Sequence, residues 1–363
     1  MSQIQIMLVD DSLVVRKVLT DVLSTDPDLA IAGWASNGSL AVAKLQTLHP
    51  DIILLDIEMP VMNGLETIPE IRKILPHTPI IMFSTLTERG AEATLDALAL
   101  GASDYVAKPS NQNMAATSEA IHRDLVPKIK ALCHFPLRVQ KTLSGVRTAT
   151  LPPVPRIRAT SLRSTGLKIV TIGVSTGGPD ALARLLPAFP ANFPLPVVIA
   201  QHMPAVFTLL LAKRLASKCA VPVRECQPGD LLTPSCVWIA PGDHHMVVQQ
   251  DGPRMRLGTH QGPRENFCRP SVDVLFRSVA AVYGANALGV ILTGMGQDGL
   301  KGCEALCAVG ASVIVQDEAS SVVWGMPGFV ARAGLAEKIL PLDQIGSEII
   351  RRVAAQPSLQ LTR

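Results

Sequence analysis

Three side chains beyond residue 170 of this chain could together cleave an acyl bond. Ser175 lies in Gly173-Val-Ser-Thr-Gly-Gly-Pro179, directly after an apolar, β-branched run. Glycines there permit a sharp turn and the close approach of a second backbone. Gly173 to Gly177 also spells G-x-S-x-G, in which the serine is a nucleophile. A plain strand-to-helix turn, or a glycine loop holding phosphate, satisfies the same five residues. His202 follows a second apolar run, in Ala200-Gln-His-Met-Pro204, and Asp298 a third, in Leu292-Thr-Gly-Met-Gly-Gln-Asp-Gly299. If these runs are neighbouring parallel strands, all three residues project from one carboxyl edge as nucleophile, base and orienting acid. A serine hydroxyl is a poor nucleophile until a neutral imidazole takes its proton, and the aspartate stabilises the cation that results. Backbone N–H groups at the glycine turns, at Thr176 and around Met295, could hold the oxyanion; Met295 suits core packing equally well.

A different chemistry is suggested near the N-terminus. Asp10 and Asp11 follow one apolar run, Asp56 ends another, and Ser84 and Lys108 follow two more. Three clustered carboxylates repel one another unless a cation joins them, and hard oxygen ligands suit Mg²⁺. Lys108 would add positive charge beside an anion placed on Asp56. Each acid could instead be a helix N-cap, with Asp11 and Ser12 the candidates before the first helix.

The elements that must position these groups are visible as alternation. Apolar runs at 4–9, 30–34, 51–55, 79–83 and 104–107 alternate with helical patterns at 12–23, 39–48, 65–75 and 91–100. A second series has runs at 169–174, 197–200, 237–240, 246–249, 288–293 and 312–315, and helical patterns at 181–186, 205–217, 272–283, 299–309 and 344–354. Such alternation predicts α/β architecture: two doubly wound parallel-sheet domains, the second larger and Rossmann-like, with function at the carboxyl ends of the strands. A hairpin is expected around Asp251-Gly252. The expected division is 1–125, a linker at 126–166, a catalytic domain at 167–355 and a tail at 356–363. Between His134 and Lys168 there are seven Lys/Arg and no Asp or Glu, with Pro152, Pro153 and Pro155, which describes a solvated, basic, partly extended connector.

Composition narrows the function classes. Of 363 residues 48% are hydrophobic, and the net charge of +3 demands neither nucleic acid nor a membrane surface. No apolar run reaches the ~18 residues of a membrane span, and no signal peptide is visible, so neither membrane insertion nor export is expected. The linker has no aromatic residues among its charges for stacking on bases. Seven scattered cysteines without a C-x-x-C pair suit reduced thiols in the cytoplasm.

Other candidates fit less well. Adjacent His244 and His245 on a strand would point to opposite faces and cannot jointly grip one metal. Asp273 in Arg269-Pro-Ser-Val-Asp273 reads as a first-turn helix charge. Cys268 could be a thiol nucleophile, but no motif assigns it a base. The order Ser…His…Asp differs from the Ser…Asp/Glu…His of α/β-hydrolases, which argues against that fold but not against the chemistry.

Two resemblances extend this reading. Leu8-Val-Asp-Asp-Ser12, Leu54-Leu-Asp-Ile-Glu-Met-Pro60 with Asn63-Gly64, and Gly101-Ala-Ser-Asp-Tyr-Val-Ala-Lys-Pro109 resemble a response-regulator receiver domain. That implies Asp56 as phospho-acceptor, Asp10, Asp11 and Asp56 as Mg²⁺ ligands, Lys108 and Ser84 as phosphoryl-binding residues and Tyr105 as an aromatic switch. Gly173–Pro179, Gln201-His-Met-Pro204, Ile239-Ala-Pro-Gly242, Arg269–Asp273 and Leu292–Gly299 resemble the CheB-type methylesterase domain. The whole chain is thus similar to the chemotaxis protein-glutamate methylesterase family. The resemblance implies that Ser175, His202 and Asp298 hydrolyse glutamate γ-methyl esters on cytoplasmic helices of chemoreceptors, releasing methanol without a cofactor. It also implies deamidation of receptor glutamines and a CheA-type histidine kinase as phosphodonor. The unphosphorylated receiver is expected to restrain the esterase, and phosphorylation to release it.

Overall fold

The computed structural model describes residues 3–85, 87–108, 114–133 and 166–355. They fall into two compact units, 1–149 and 150–363. In the first unit the strands are β1 (Ile4–Val9), β2 (Leu29–Ala35), β3 (Ile52–Asp56), β4 (Ile80–Ser84) and β5 (Asp104–Ala107). All pair in parallel in the order β2-β1-β3-β4-β5. The helices between them are α1 (Leu13–Leu23), α2 (Gly38–Lys44), α3 (Gly64–Ile74) and α4 (Glu88–Ala99). Every residue of β3 and β4 is buried, as continuous apolar strands covered on both faces should be. Helix starts are set locally. Ser12 Oγ accepts from Val15 N at α1, and Asn63 with Glu66 forms a capping box at α3.

After β5 come α5 (Met114–Asp124) and α6 (126–133). Val126, Ile129, Leu132 and Cys133 of α6 are buried. The connector expected from 126 is therefore helical as far as 133, because its apolar residues recur at helical spacing. Residues 134–165 of that connector and the tail 356–363 lie outside the described residues.

The second unit is built on a seven-stranded sheet, ordered β14-β13-β12-β6-β7-β9-β8 and parallel throughout. Its central strands are β6 (Ile169–Val174), β7 (Val197–Gln201) and β12 (Ala287–Ile291), with β13 (Ser312–Gln316) beyond β12. Towards the edges lie β8 (Val223–Glu225), β9 (Val237–Ile239) and β14 (Lys338–Leu340). The helices are α7 (Gly178–Leu185), α8 (Ala205–Ala216), α9 (Val272–Tyr283), α10 (Leu300–Ala308), α11 (Met326–Arg332) and α12 (Leu342–Ala354). An antiparallel pair, β10 (His245–Asp251) and β11 (Arg254–His260), closes through Gly252-Pro253, as the Asp251-Gly252 signal predicts. Strands β8 and β14 and helices α5 and α11 have no counterpart in the sequence reading. Three-residue edge strands are too short to show a period, and α11 is only seven residues long.

Candidate active site and phosphoacceptor site

Strands β12, β6 and β7 are adjacent and parallel, with Ile291 in register with Gly173 and Gly173 with Ala200. The loops past their carboxyl ends therefore share one sheet edge, with Ser175 after β6, His202 after β7 and Asp298 in the loop after β12. The turn at Ser175 is pinned from three sides. Ser175 N donates to Thr293 O at 3.0 Å, and Ser175 O accepts from Gly178 N at 2.8 Å and from Gln201 Nε2 at 3.0 Å. Gly177 completes the turn at φ +76°, a conformation that favours glycine. Gly294 lets the β12 loop press against the serine, since a Cβ there would lie 2.8 Å from Ser175 Cβ.

His202 Nε2 lies 2.7 Å from Asp298 Oδ2. The buried Asp298 carboxylate accepts four further hydrogen bonds. Val272 N reaches Oδ2 at 2.7 Å; Ser271 Oγ, Asn266 Nδ2 and Asp273 N reach Oδ1 at 2.8, 3.0 and 3.1 Å. Burial alone would raise its pKa, but His202 and these donors outweigh that and hold the acid ionised, well below the usual carboxylate range. With Nε2 committed to Asp298, the nitrogen left to serve as a base is Nδ1. It faces Cys268 Sγ at 3.4 Å, while Ser175 Oγ makes no hydrogen bond to another described residue. Burial disfavours the imidazolium, but the Cys268 sulfur and the Asp298 carboxylate prevail and push His202 up to about 10. Asp273 is more than a first-turn charge. It accepts from Gly299 N and Gly302 N at 3.0 and 2.7 Å, tying α9 to the start of α10 and so to Asp298. The Met295 N–H has no hydrogen-bond partner among the described residues.

Four supporting residues escaped sequence reasoning: Asn266, Ser271, Gln201 and, in its contact with His202, Cys268. Ser271 and Cys268 lie in or beside the quoted Arg269–Asp273 motif. Asn266, in an irregular loop, carries no periodic signal. His245 opens β10 and is structural, its Nδ1 accepting from Ser271 N at 3.2 Å and its Nε2 lying 2.9 Å from Pro263 O. His244 lies apart from it, with Nδ1 3.3 Å from Gly242 O.

In the first unit Asp10, Asp11, Asp56, Ser84 and Lys108 come together at the carboxyl edge, as the spacing predicts. Lys108 Nζ sits 2.8 Å from Asp56 Oδ2 and 3.0 Å from Asp10 Oδ2. Asp11, Asp56, Ser84 and Lys108 line a cavity of about 360 Å³. Burial pushes Asp56 up to about 6 against the pull of Lys108. The acids are not caps: Ser12 caps α1, and Asp10 Oδ1 accepts from Ser12 N at 2.9 Å. One ammonium among three carboxylates leaves an excess of negative charge. Asp10 Oδ2 is buried without a hydrogen bond of good geometry, and one oxygen from each acid lies within 4.8 Å of the others. This donor set fits a hard divalent cation. Ser84 Oγ points to Gly90 O at 3.2 Å, and Tyr105 is buried.

Fold and site define the class: a receiver-type α/β unit joined to a parallel α/β unit that carries a serine, a histidine and an aspartate at one sheet edge. The sequence profile of the response regulator receiver domain matches residues 6–118, and that of the CheB methylesterase matches residues 170–349. The chain belongs to the CheB methylesterase family. A protein-glutamate methylesterase/protein-glutamine glutaminase of Trichodesmium erythraeum is 49% identical over 97% of this chain and 100% of its own length. One of the same name from a Nocardioides species is 48% identical over 99% and 98%. The crystal structure of the Thermotoga maritima CheB methylesterase catalytic domain, 40% identical, covers 51% of this chain and 98% of its own, with a TM-score of 0.50. Receiver domains are phosphorylation domains and generally depend on a divalent metal. Among the described residues no helix is long and apolar enough to cross a membrane.

Proposed function

We propose that this chain is a phosphorylation-controlled hydrolase that removes methyl groups from glutamate γ-methyl esters of chemoreceptors and deamidates receptor glutamines. The observation that carries the reading is His202, held by Asp298 through Nε2 at 2.7 Å one strand away from Ser175. Ser175 Oγ attacks the ester carbonyl while His202 Nδ1 takes its proton, and Asp298 stabilises the imidazolium. This requires the Ser175 hydroxyl to displace Cys268 from Nδ1. The backbone N–H groups of Thr176 and Met295 stabilise the oxyanion, a contribution of roughly 10²–10³ in rate per donor. The intermediate collapses, methoxide takes the proton from His202 and leaves as methanol, and a glutamyl ester remains on Ser175. Water then attacks that ester, giving a proton to His202, and the glutamate side chain departs as Ser175 regains its hydrogen. With a glutamine, the same steps release ammonia. No cofactor is needed for these steps.

Control lies in the receiver. Asp56 accepts the phosphoryl group from a CheA-type histidine kinase, and Lys108 and Ser84 turn towards it, with Tyr105 as the switch. Asp10, Asp11 and Asp56 would hold Mg²⁺, which would supply positive charge to offset the anionic site during phosphoryl transfer. The proposed division of labour is receiver at 1–133, with the helix at 126–133 included, linker at 134–166, catalytic domain at 167–355 and tail at 356–363. Receptor helices facing the cytoplasm are the substrate, and the seven free cysteines suit that compartment. Neither nucleic acid nor membrane insertion enters the reading. The deciding experiment is methanol release from methylated receptor membranes, with a small phosphodonor present. Ser175→Ala should abolish it, and a variant as active as the wild type would refute the assignment.

A further inference from the structure

Between Asn266 and Cys268, the two residues of this loop that touch the triad, stands Phe267. Glu265 and Cys268 exchange backbone hydrogen bonds of 3.2 and 2.8 Å, so Asn266 and Phe267 are the two central residues of a tight turn. Both have positive φ, +50° and +64°. That is the I′ pattern, whose preferred pair is Asn-Gly. Asparagine suits the first position. Phenylalanine at the second does not, because a bulky L-residue is strained in the left-handed region where glycine is at ease.

Packing does not compensate for the strain. Phe267 is 89% exposed, more than any other large hydrophobic residue described. The turn is needed, since Asn266 Nδ2 holds both Asp298 and Asp273 and Cys268 Sγ meets His202. The phenyl ring contributes to none of those contacts. Glycine would close the same turn with less strain and without exposing an aromatic ring to water. Strain at a loop that supports the triad points towards function, and the exposed ring belongs to the residue between two triad contacts.

We propose that Phe267 is a substrate-docking residue, its ring packing on an apolar side chain of the receptor segment that carries the methylated glutamate. This rests on the receptor reading above and names the residue that distinguishes a protein-borne ester from a small one. A small ester occupies the catalytic centre without spanning to the rim, whereas a receptor segment does both.

The test compares full-length Phe267→Gly with wild type, a small phosphodonor present, on methylated receptor membranes and on a small glutamate γ-methyl ester. On receptor, kcat/KM should fall about tenfold or more, chiefly through KM, from the lost aromatic burial. The small ester should lose far less. The thermal midpoint should hold or rise, and Phe267→Tyr should restore most of the receptor activity. Equal losses on both substrates would reduce the ring to a part of the triad's scaffold and overturn the proposal, as would no loss on either. Wild type cleaving the small ester but not receptor would overturn the receptor reading itself, and the docking role with it.

Discussion

Replacing Asp298 by asparagine changes one atom in shape and reverses the polarity of half the side chain. Oδ2 accepts from His202 Nε2 and Val272 N; Oδ1 accepts from Ser271 Oγ, Asn266 Nδ2 and Asp273 N. An amide nitrogen must take the place of one of them. At Oδ2 it would oppose the Val272 N–H, which is fixed at the start of α9, and would force the histidine proton onto Nδ1. At Oδ1 the Ser271 hydroxyl can turn to accept, but the Asp273 N–H cannot. Either orientation leaves at least one buried backbone donor without an acceptor, a cost of about 1–3 kcal/mol. Loss of the charge weakens the remaining bonds, so Asp298→Asn should destabilise the catalytic unit by about 2–4 kcal/mol. The imidazolium formed as Ser175 reacts would also lose its counter-charge, lowering kcat by about 10³–10⁴-fold. Thermal unfolding of the full chain and methanol release from receptor membranes measure the two effects. A variant that unfolds with wild type and retains kcat within threefold would refute Asp298 as the orienting acid.

Three further outcomes are expected. The base must be neutral to accept a proton, so activity should rise with pH through the elevated His202 value of about 10. Cys268→Ala removes one of its causes, so the rising limb of the kcat/KM profile should move to lower pH; an unmoved profile would show that the sulfur does not tune the base. Asp56→Asn should make methanol release indifferent to a small phosphodonor, and chelation of divalent metal should do the same to wild type. A phosphodonor response that survives either treatment would remove Asp56 or the metal from control. Gly294→Ala places a Cβ 2.8 Å from Ser175 Cβ and 2.4 Å from Met326 Sδ. Displacing the nucleophile should cost about tenfold or more in kcat, and a variant with wild-type kcat would show that the loop yields instead.

Much of the architecture was legible because parallel strands buried on both faces must be continuously apolar. Runs such as 51–55 and 169–174 therefore stand out between amphipathic segments. The hairpin turn at Gly252 was readable for an equally local reason. What faded was short or irregular: the edge strands β8 and β14, helix α11, and the extent of α6, where 126–133 looked like the start of a connector.

The proposed catalytic trio belongs to the part that sequence determines. A residue just past an apolar run must emerge at a strand's carboxyl end, and three such residues of complementary chemistry at Ser175, His202 and Asp298 limit the reading to very few reactions. The same logic brings Asp10, Asp11, Asp56, Ser84 and Lys108 together. Only the tertiary structure decided that β12, β6 and β7 are neighbours, since strand order depends on long-range packing and not on any local pattern. It alone assigned Nε2 of His202 to Asp298 and set Cys268 against Nδ1. It turned Asp273 from a helix-end charge into a clamp between α9 and α10. These side-chain assignments join atoms 26 to 96 residues apart along the chain, and at such separations hydrogen-bond geometry is settled by the packed fold.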